Sequence, residues 1–131
     1  MLLKKHLNCE LNAPQDIMVS CDINKMQRVF DNLLRNAVNY SYEGTNIKVF
    51  AELFNNNVCV KVINEGNTIP KEKLDRIFEQ FFRLDTARNS SSGGAGLGLA
   101  IANEIVELHH GTITADSANG ITCFEVVIPL S

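Results

Sequence analysis

Asn32 and Asn36, set four residues apart in Asp31-Asn-Leu-Leu-Arg-Asn-Ala-Val-Asn-Tyr40, constrain this chain more than any other feature. Asparagine is a poor helix former because its amide competes for backbone partners. Yet Met26, Phe30, Leu33, Leu34 and Ala37 recur through the same stretch like one buried helical face. At about 100° per residue, Asn32, Asn36 and Tyr40 make a second stripe along the flank of that face. A helix that lines up two carboxamides and a phenol at the edge of its core either presents them to a ligand or carries an incidental polar surface. This run alone does not choose between the two.

Further along, Ser90-Ser-Ser-Gly-Gly-Ala-Gly-Leu-Gly-Leu-Ala100 runs straight into an amphipathic helix, Ile101 to His109. Glycines before a helix let backbone N–H groups approach a phosphate, and the helix start adds about half a positive charge. No Lys-Ser/Thr follows, so this is not a Walker loop. Gly94, Gly96 and Gly98 fall at G-x-G-x-G spacing with no strand leading directly into them, which excludes a dinucleotide fingerprint. By itself such a cluster is more often a flexible loop than a phosphate cradle. Paired with the asparagine helix, it points to a phosphate.

Two more segments lie between. Val62-Ile-Asn-Glu-Gly-Asn-Thr-Ile-Pro70 closes a strand with a glycine turn and a proline that opens a short helix, and Ile77-Phe-Glu-Gln-Phe-Phe-Arg83 ends that helix in aromatics. The order is asparagine box, glycine turn, phenylalanine box, glycine-rich lid. From about Leu7 to Leu130 the chain resembles the catalytic and ATP-binding domain of sensor histidine kinases, within the wider superfamily of gyrase, Hsp90 and MutL ATPases. The wording Asn-Glu-Gly-Asn-Thr-Ile-Pro and Phe-Phe-Arg-Leu-Asp is most similar to the vancomycin-resistance sensors (VanS-type).

Composition sets the frame. At 131 residues the chain is one domain, residues 1–131, long enough to bury a core. With 45% apolar residues and a net charge of -3, it reads as an ordinary globule. No Lys/Arg run argues for nucleic acid. No apolar run reaches the roughly 18 residues of a membrane span, and Met1-Leu-Leu-Lys-Lys5 is too short for a secretory signal. Cys9, Cys21, Cys59 and Cys123 form no Cys-x-x-Cys pair and read as reduced strand residues of a cytosolic protein.

The coarse pattern is α+β. Strands are expected at His6–Leu11, Ile17–Cys21, Ile47–Leu53, Val58–Ile63, Thr112–Asp116 and Thr122–Ile128, with turns at Asn55-Asn-Asn57 and Asn119-Gly120. Helices are expected at about Ile23–Tyr40, Lys71–Phe78 and Leu97–His109, with Asp22 as N-cap of the first and Gly111 as stop of the last. This arrangement predicts a mixed sheet with helices on one face. The resemblance names it a Bergerat-type α/β sandwich.

The resemblance implies Mg-ATP as ligand and assigns roles to matching positions. Magnesium takes hard oxygens, keeps several waters and reaches a protein through one or two groups plus phosphates. Asn36 corresponds to the metal asparagine, and Asn32, one turn earlier, would assist catalysis through water or phosphate. Asn39 stands where the family often has a phosphate-touching lysine. Tyr40 would lie against the adenine or, alternatively, cap the core. Asn64, Gly66 and Ile69 match Asp-x-Gly-x-Gly-Ile, in which the aspartate accepts from the adenine amino group. Asn64 can still accept there and can also donate, although a charged acceptor binds about twice as strongly. Thr68 replaces a glycine and stiffens the turn. Gly94, Gly96, Leu97, Gly98 and Leu99 form the lid, and Thr122 would join the water network at the adenine. Arg83 is the candidate for stabilising the γ-phosphate during transfer; Arg88 is the second, or a solvated surface arginine. Phe78, Phe81 and Phe82 would pack the lid base. His109-His110-Gly111 replaces the usual His-Gly-Gly.

The same resemblance implies a transfer of the ATP γ-phosphate to a histidine on a separate dimerisation domain, then to an aspartate of a response regulator. None of His6, His109 and His110 is followed by Glu or Asp, so the acceptor lies elsewhere. The expectation is an excised, monomeric cytoplasmic fragment of a homodimeric, membrane-anchored sensor, with no contact to membrane or nucleic acid. The rivals are a same-fold ATPase or anti-sigma serine kinase, against which the phenylalanine box and Arg83 argue, and a degenerate module that no longer binds ATP, supported by Asn64 and Asn39.

Overall fold

A computed structural model of the chain describes residues 8–12, 23–80, 82 and 98–129. In order the elements are β1 (Asn8–Asn12), α1 (Ile23–Tyr40), β2 (Asn46–Phe54), β3 (Asn57–Glu65), α2 (Lys71–Leu74), α3 (Gly98–Leu108), β4 (Thr112–Ala118) and β5 (Ile121–Pro129). Their strands make one sheet in the order β1-β2-β3-β5-β4. β1 runs parallel to β2, and every other neighbouring pair is antiparallel. The sheet is therefore mixed, with α1 and α3 packed together on one face. This is the α+β sandwich that the sequence predicts.

Both hairpins are set by turn chemistry. Asn55 and Asn56 have φ of 50° and 64°, and Asn119 and Gly120 have 54° and 78°. Two successive positive φ values define the turn whose twist matches the flanking strands, and asparagine and glycine tolerate them best. The register then places Val58, Val62, Phe124, Val126, Ile128 and Ile113 on the inner face. A one-residue slip would turn all of them to solvent.

α1 offers Met26, Val29, Leu33, Ala37 and Val38 to that face, and α3 offers Ala102, Ile105 and Val106. Val29 and Val38, which the pattern alone does not single out, lie deeper than Phe30 and Leu34, which are only partly buried. Full burial of such side chains is worth about 1.5–3 kcal/mol each. The helix is thus held by its buried face, and its asparagines need not favour it.

The described strands and α3 shift by one or two residues from their expected ends, and two helix ends differ in kind. The helix at Lys71 ends at Leu74 and continues as turns. Arg76, Ile77 and Glu79 donate to the carbonyls three residues back, which tightens the chain. That winding buries Ile77 and sets Phe78 edge-on to Phe124, with ring centroids 6.0 Å apart. Phe82 stacks under Arg76, 4.9 Å from the guanidinium carbon to the ring centre. At the end of α3, the left-handed residue is His110 (φ 63°) and not Gly111. His110 N–H donates to Glu107 and Gly111 N–H to Val106, both at 3.0 Å, the paired bonds of a Schellman stop. Gly111 is needed for another reason: a methyl group there would run into the Val127 carbonyl.

Candidate functional site

A cleft of about 240 Å³ opens between the C-terminal end of α1, the end of β3, the segment leading into α2, and β5. Asn36 and Tyr40 reach it because they sit one turn apart on the flank of a helix whose neighbouring face is buried. Asn64 comes from the last turn of the β3 ladder, where it pairs with Thr122 of β5. Both residues are 3% exposed, so two polar side chains stand deep on the inner face where the rest of each strand carries valine, phenylalanine and isoleucine. Buried polar groups are normally hydrogen-bonded. Thr122 meets that rule: its hydroxyl is 2.9 Å from that of Ser117, which accepts a bond from the Ile69 N–H at 2.8 Å. Among the described residues, none hydrogen-bonds the Asn64 carboxamide.

The turn after β3 is latched to the β4–β5 hairpin. Gly66 N–H donates to the Gly120 carbonyl at 2.9 Å, and Gly120 N–H donates to the Thr68 hydroxyl at 2.7 Å. Gly66 also bridges Ser41, just past α1, and a methyl group on it would collide with the Tyr40 carbonyl. Tyr42 adds a bond to Asn67 at 2.6 Å. Thr68, a departure from the resembled pattern, thus supplies a hydroxyl that glycine would lack.

Of the residues singled out in the sequence, Asn36, Tyr40, Asn64, Ile69 and Thr122 line one cleft. Gly66 shapes its wall. Asn32 lies outside the lining and donates to the Gly98 carbonyl at 3.0 Å, joining α1 to the first residue of α3. Leu99 packs against the core, and Asn39 is half-buried away from the lining. Arg83, Arg88, Gly94, Gly96 and Leu97 lie outside the described residues, as do Phe81, Asp22 and the strand expected at Ile17–Cys21. Asn67, Pro70 and Lys73 also line the cleft and were not foreseen as site residues. Lys73 carried a signal in retrospect: it follows a helix-opening proline directly beyond the glycine turn.

Lys73 brings the one formal charge among the lining residues. A magnesium-phosphate group fits the donor set at Asn36, a neutral oxygen ligand with no carboxylate cage around it. Among the described residues no cluster of His, Cys, Asp or Glu could hold a metal ion independently. Cys59 and Cys123 are free and lie on the outer face of the sheet, Cys59 opposite Val127 and Cys123 opposite Ile63. No helix among the described residues is long and apolar enough to cross a membrane.

Comparison with known proteins agrees with this geometry. Residues 21–131 match the family described as histidine kinase-, DNA gyrase B- and HSP90-like ATPase. The sensor protein VanS of Enterococcus faecium is 49% identical over 119 residues, covering 91% of this chain and 31% of that protein. The catalytic domain of histidine kinase ThkA superposes with a TM-score of 0.85 at 30% identity, covering 98% of this chain and 84% of that domain. ThkA in complex with the response regulator protein TrrA superposes at 0.80 with 28% identity, covering 99% of this chain and 36% of that one. The chain spans about a third of the length of VanS. It belongs to the histidine kinase-, gyrase B- and HSP90-like ATPase family, and within it to the catalytic domains of sensor histidine kinases.

Proposed function

We propose that this domain binds Mg-ATP in the cleft and transfers the γ-phosphoryl group to a histidine of a separate dimerisation domain, from which a response-regulator aspartate receives it. The observation that carries the reading is the convergence of Asn36, Tyr40, Asn64 and Thr122 from three separate elements on one cleft. Asn64 and Thr122 would hold the base edge, Tyr40 would lie along it, and Asn36 would face the phosphates. A magnesium ion held there supplies charge neutralisation at the triphosphate. Asn32, bonded to Gly98, would hold the start of α3 beside the asparagine stripe. Arg83 would stabilise charge on the group in transfer. In that step the bond from the γ-phosphorus to the bridging oxygen breaks, ADP leaves, and a bond to the imidazole nitrogen forms. The imidazole proton passes to an acid next to the acceptor histidine.

The likeness to VanS supports a place in vancomycin-resistance signalling, in the cytoplasmic part of a membrane-anchored, homodimeric sensor. The test combines this chain with a separately supplied dimerisation domain and radiolabelled ATP. Acid-labile, base-stable label on the added domain, and none on this chain alone, is the expected result. The transfer should be slow, because untethered domains lose effective concentration. Acid-stable label on this chain would establish a serine kinase instead. Absence of nucleotide binding at millimolar concentration would establish the degenerate module.

A further inference from the structure

We infer that the base-recognition end of this cleft accepts guanine as well as adenine nucleotides, a reading that rests on the cleft being the nucleotide site. Two polar groups stand there, Asn64 and Thr122, and the polarity of both can be reversed.

Asn64 is 3% exposed, lines the cleft, and has no hydrogen-bond partner among the described residues. Its backbone is committed to the ladder opposite Thr122, which leaves the carboxamide to be satisfied by whatever enters. A carboxamide presents a donor and an acceptor side by side, and half a turn of its terminal torsion exchanges them. The six-membered edge of adenine offers an amino donor beside the N1 acceptor. The corresponding edge of guanine offers the O6 acceptor beside the N1–H donor. Each edge is complementary to one setting of the same amide.

Nothing within the described structure selects a setting. Gly66 leaves the space beside the amide open: a methyl group on it would stand 3.4 Å from Asn64 Nδ2. Thr122 behaves in the same way. In its pair with Ser117, at 2.9 Å, either hydroxyl can be the donor, because Ser117 already accepts from Ile69 and can still give or receive one bond. A carboxylate at position 64 would behave differently. Being acceptor-only, and meeting the base through one oxygen at the 6-position, it would take the adenine amino group and face guanine O6 lone pair to lone pair.

The experiment is calorimetric titration of this chain, with magnesium, using non-hydrolysable ATP and GTP analogues. The two dissociation constants should agree within about tenfold, and Asn64→Asp should widen the preference for adenine to about 100-fold or more. Inosine triphosphate, which keeps O6 and N1–H without the 2-amino group, should bind the unmodified chain as the GTP analogue does; this arm needs no variant to fold. A preference for adenine beyond about 100-fold in the unmodified chain would overturn the inference and leave the nucleotide site standing. So would an Asn64→Asp chain that melts normally with an unchanged ratio. Failure of both analogues to bind would remove the nucleotide reading itself, and this one with it.

Discussion

The Asn32 carboxamide donates a hydrogen bond to the carbonyl of Gly98 across 66 positions of sequence, at 3.0 Å. This bond ties the asparagine stripe of α1 to the first turn of α3, and a methyl group on Gly98 would stand 3.4 Å from Asn32 Oδ1. Asn32→Ala should therefore cost about 1 kcal/mol in urea unfolding, the worth of one partly buried hydrogen bond. Asn32→Asp should cost more, because a carboxylate cannot donate and would face the carbonyl as a second acceptor. An aspartate variant as stable as the parent would show that the bond carries no weight.

Asn36 has no part in holding the core, which its neighbours Leu33, Ala37 and Val38 fill. Asn36→Ala should abolish the magnesium-dependent part of nucleotide binding by calorimetry with and without chelator. Its melting temperature should stay within about 2 °C of the parent, as for other changes away from the core. A large drop in melting temperature would assign the residue a structural role.

His110 occupies a left-handed position that suits glycine, and its side chain is exposed. His110→Gly should stabilise the domain by about 0.5–1 kcal/mol, relief of backbone strain exceeding the added entropy of the unfolded chain. His110→Val should destabilise it, because a β-branched residue tolerates positive φ least. Chemical denaturation of the two variants reads out the sign directly.

Thr68 accepts from Gly120 N–H at 2.7 Å through its hydroxyl. Thr68→Val keeps the shape and removes the acceptor, and should cost about 1 kcal/mol together with weaker nucleotide binding. Thr68→Ser should restore both. Equal behaviour of the valine and serine variants in unfolding and titration would dismiss the latch.

The Cys59 thiol donates a hydrogen bond to Glu125 Oε2 at 2.8 Å. Burial first, and then that neighbouring carboxylate, push its pKa from 9.0 up to about 12. The folded state thus keeps a proton that the unfolded chain gives up above pH 9. Stability from this group is whole below that point and drains as pH rises toward 12, by at most ~1.4 kcal/mol per pH unit for one proton. Urea unfolding at successive pH values should show this slope, and Cys59→Ala should flatten it. The parent and the alanine variant sharing one slope would contradict the assignment.

Much of this was readable from residue order because local chemistry and tertiary packing agree. α1 is Ile23–Tyr40 in both readings, since its buried positions recur at helical spacing without interruption. Both hairpin turns announce themselves through asparagine and glycine, whose tolerance of positive φ is intrinsic. Disagreement arises where a long-range contact decides. The helix beyond Leu74 winds tighter because Ile77 and Phe78 must meet a core that includes Phe124, 46 positions further along the chain. Thr68 looked like a stiffener because its partner Gly120 lies 52 positions on. Lys73 entered the cleft unannounced for the same kind of reason, as its short helix was readable but the direction of that helix was not.

The tie between the Gly66–Thr68 turn and Gly120 also dates the birth of the cleft. Chains emerge from the ribosome amino end first, and α1, β2 and β3 can pair through near neighbours before the rest exists. Asn36, Tyr40 and Asn64 are then present, but the floor is not: Thr122, and the Gly120 groups that fasten the turn, arrive only when β5 adds to β3. Nucleotide can reward only a chain that has closed this distant pairing, by binding the finished state and not its precursors. Competence for ligand thus waits for β5, and a nascent chain halted before Ile121 would carry most of the recognition residues with nowhere to hold a base.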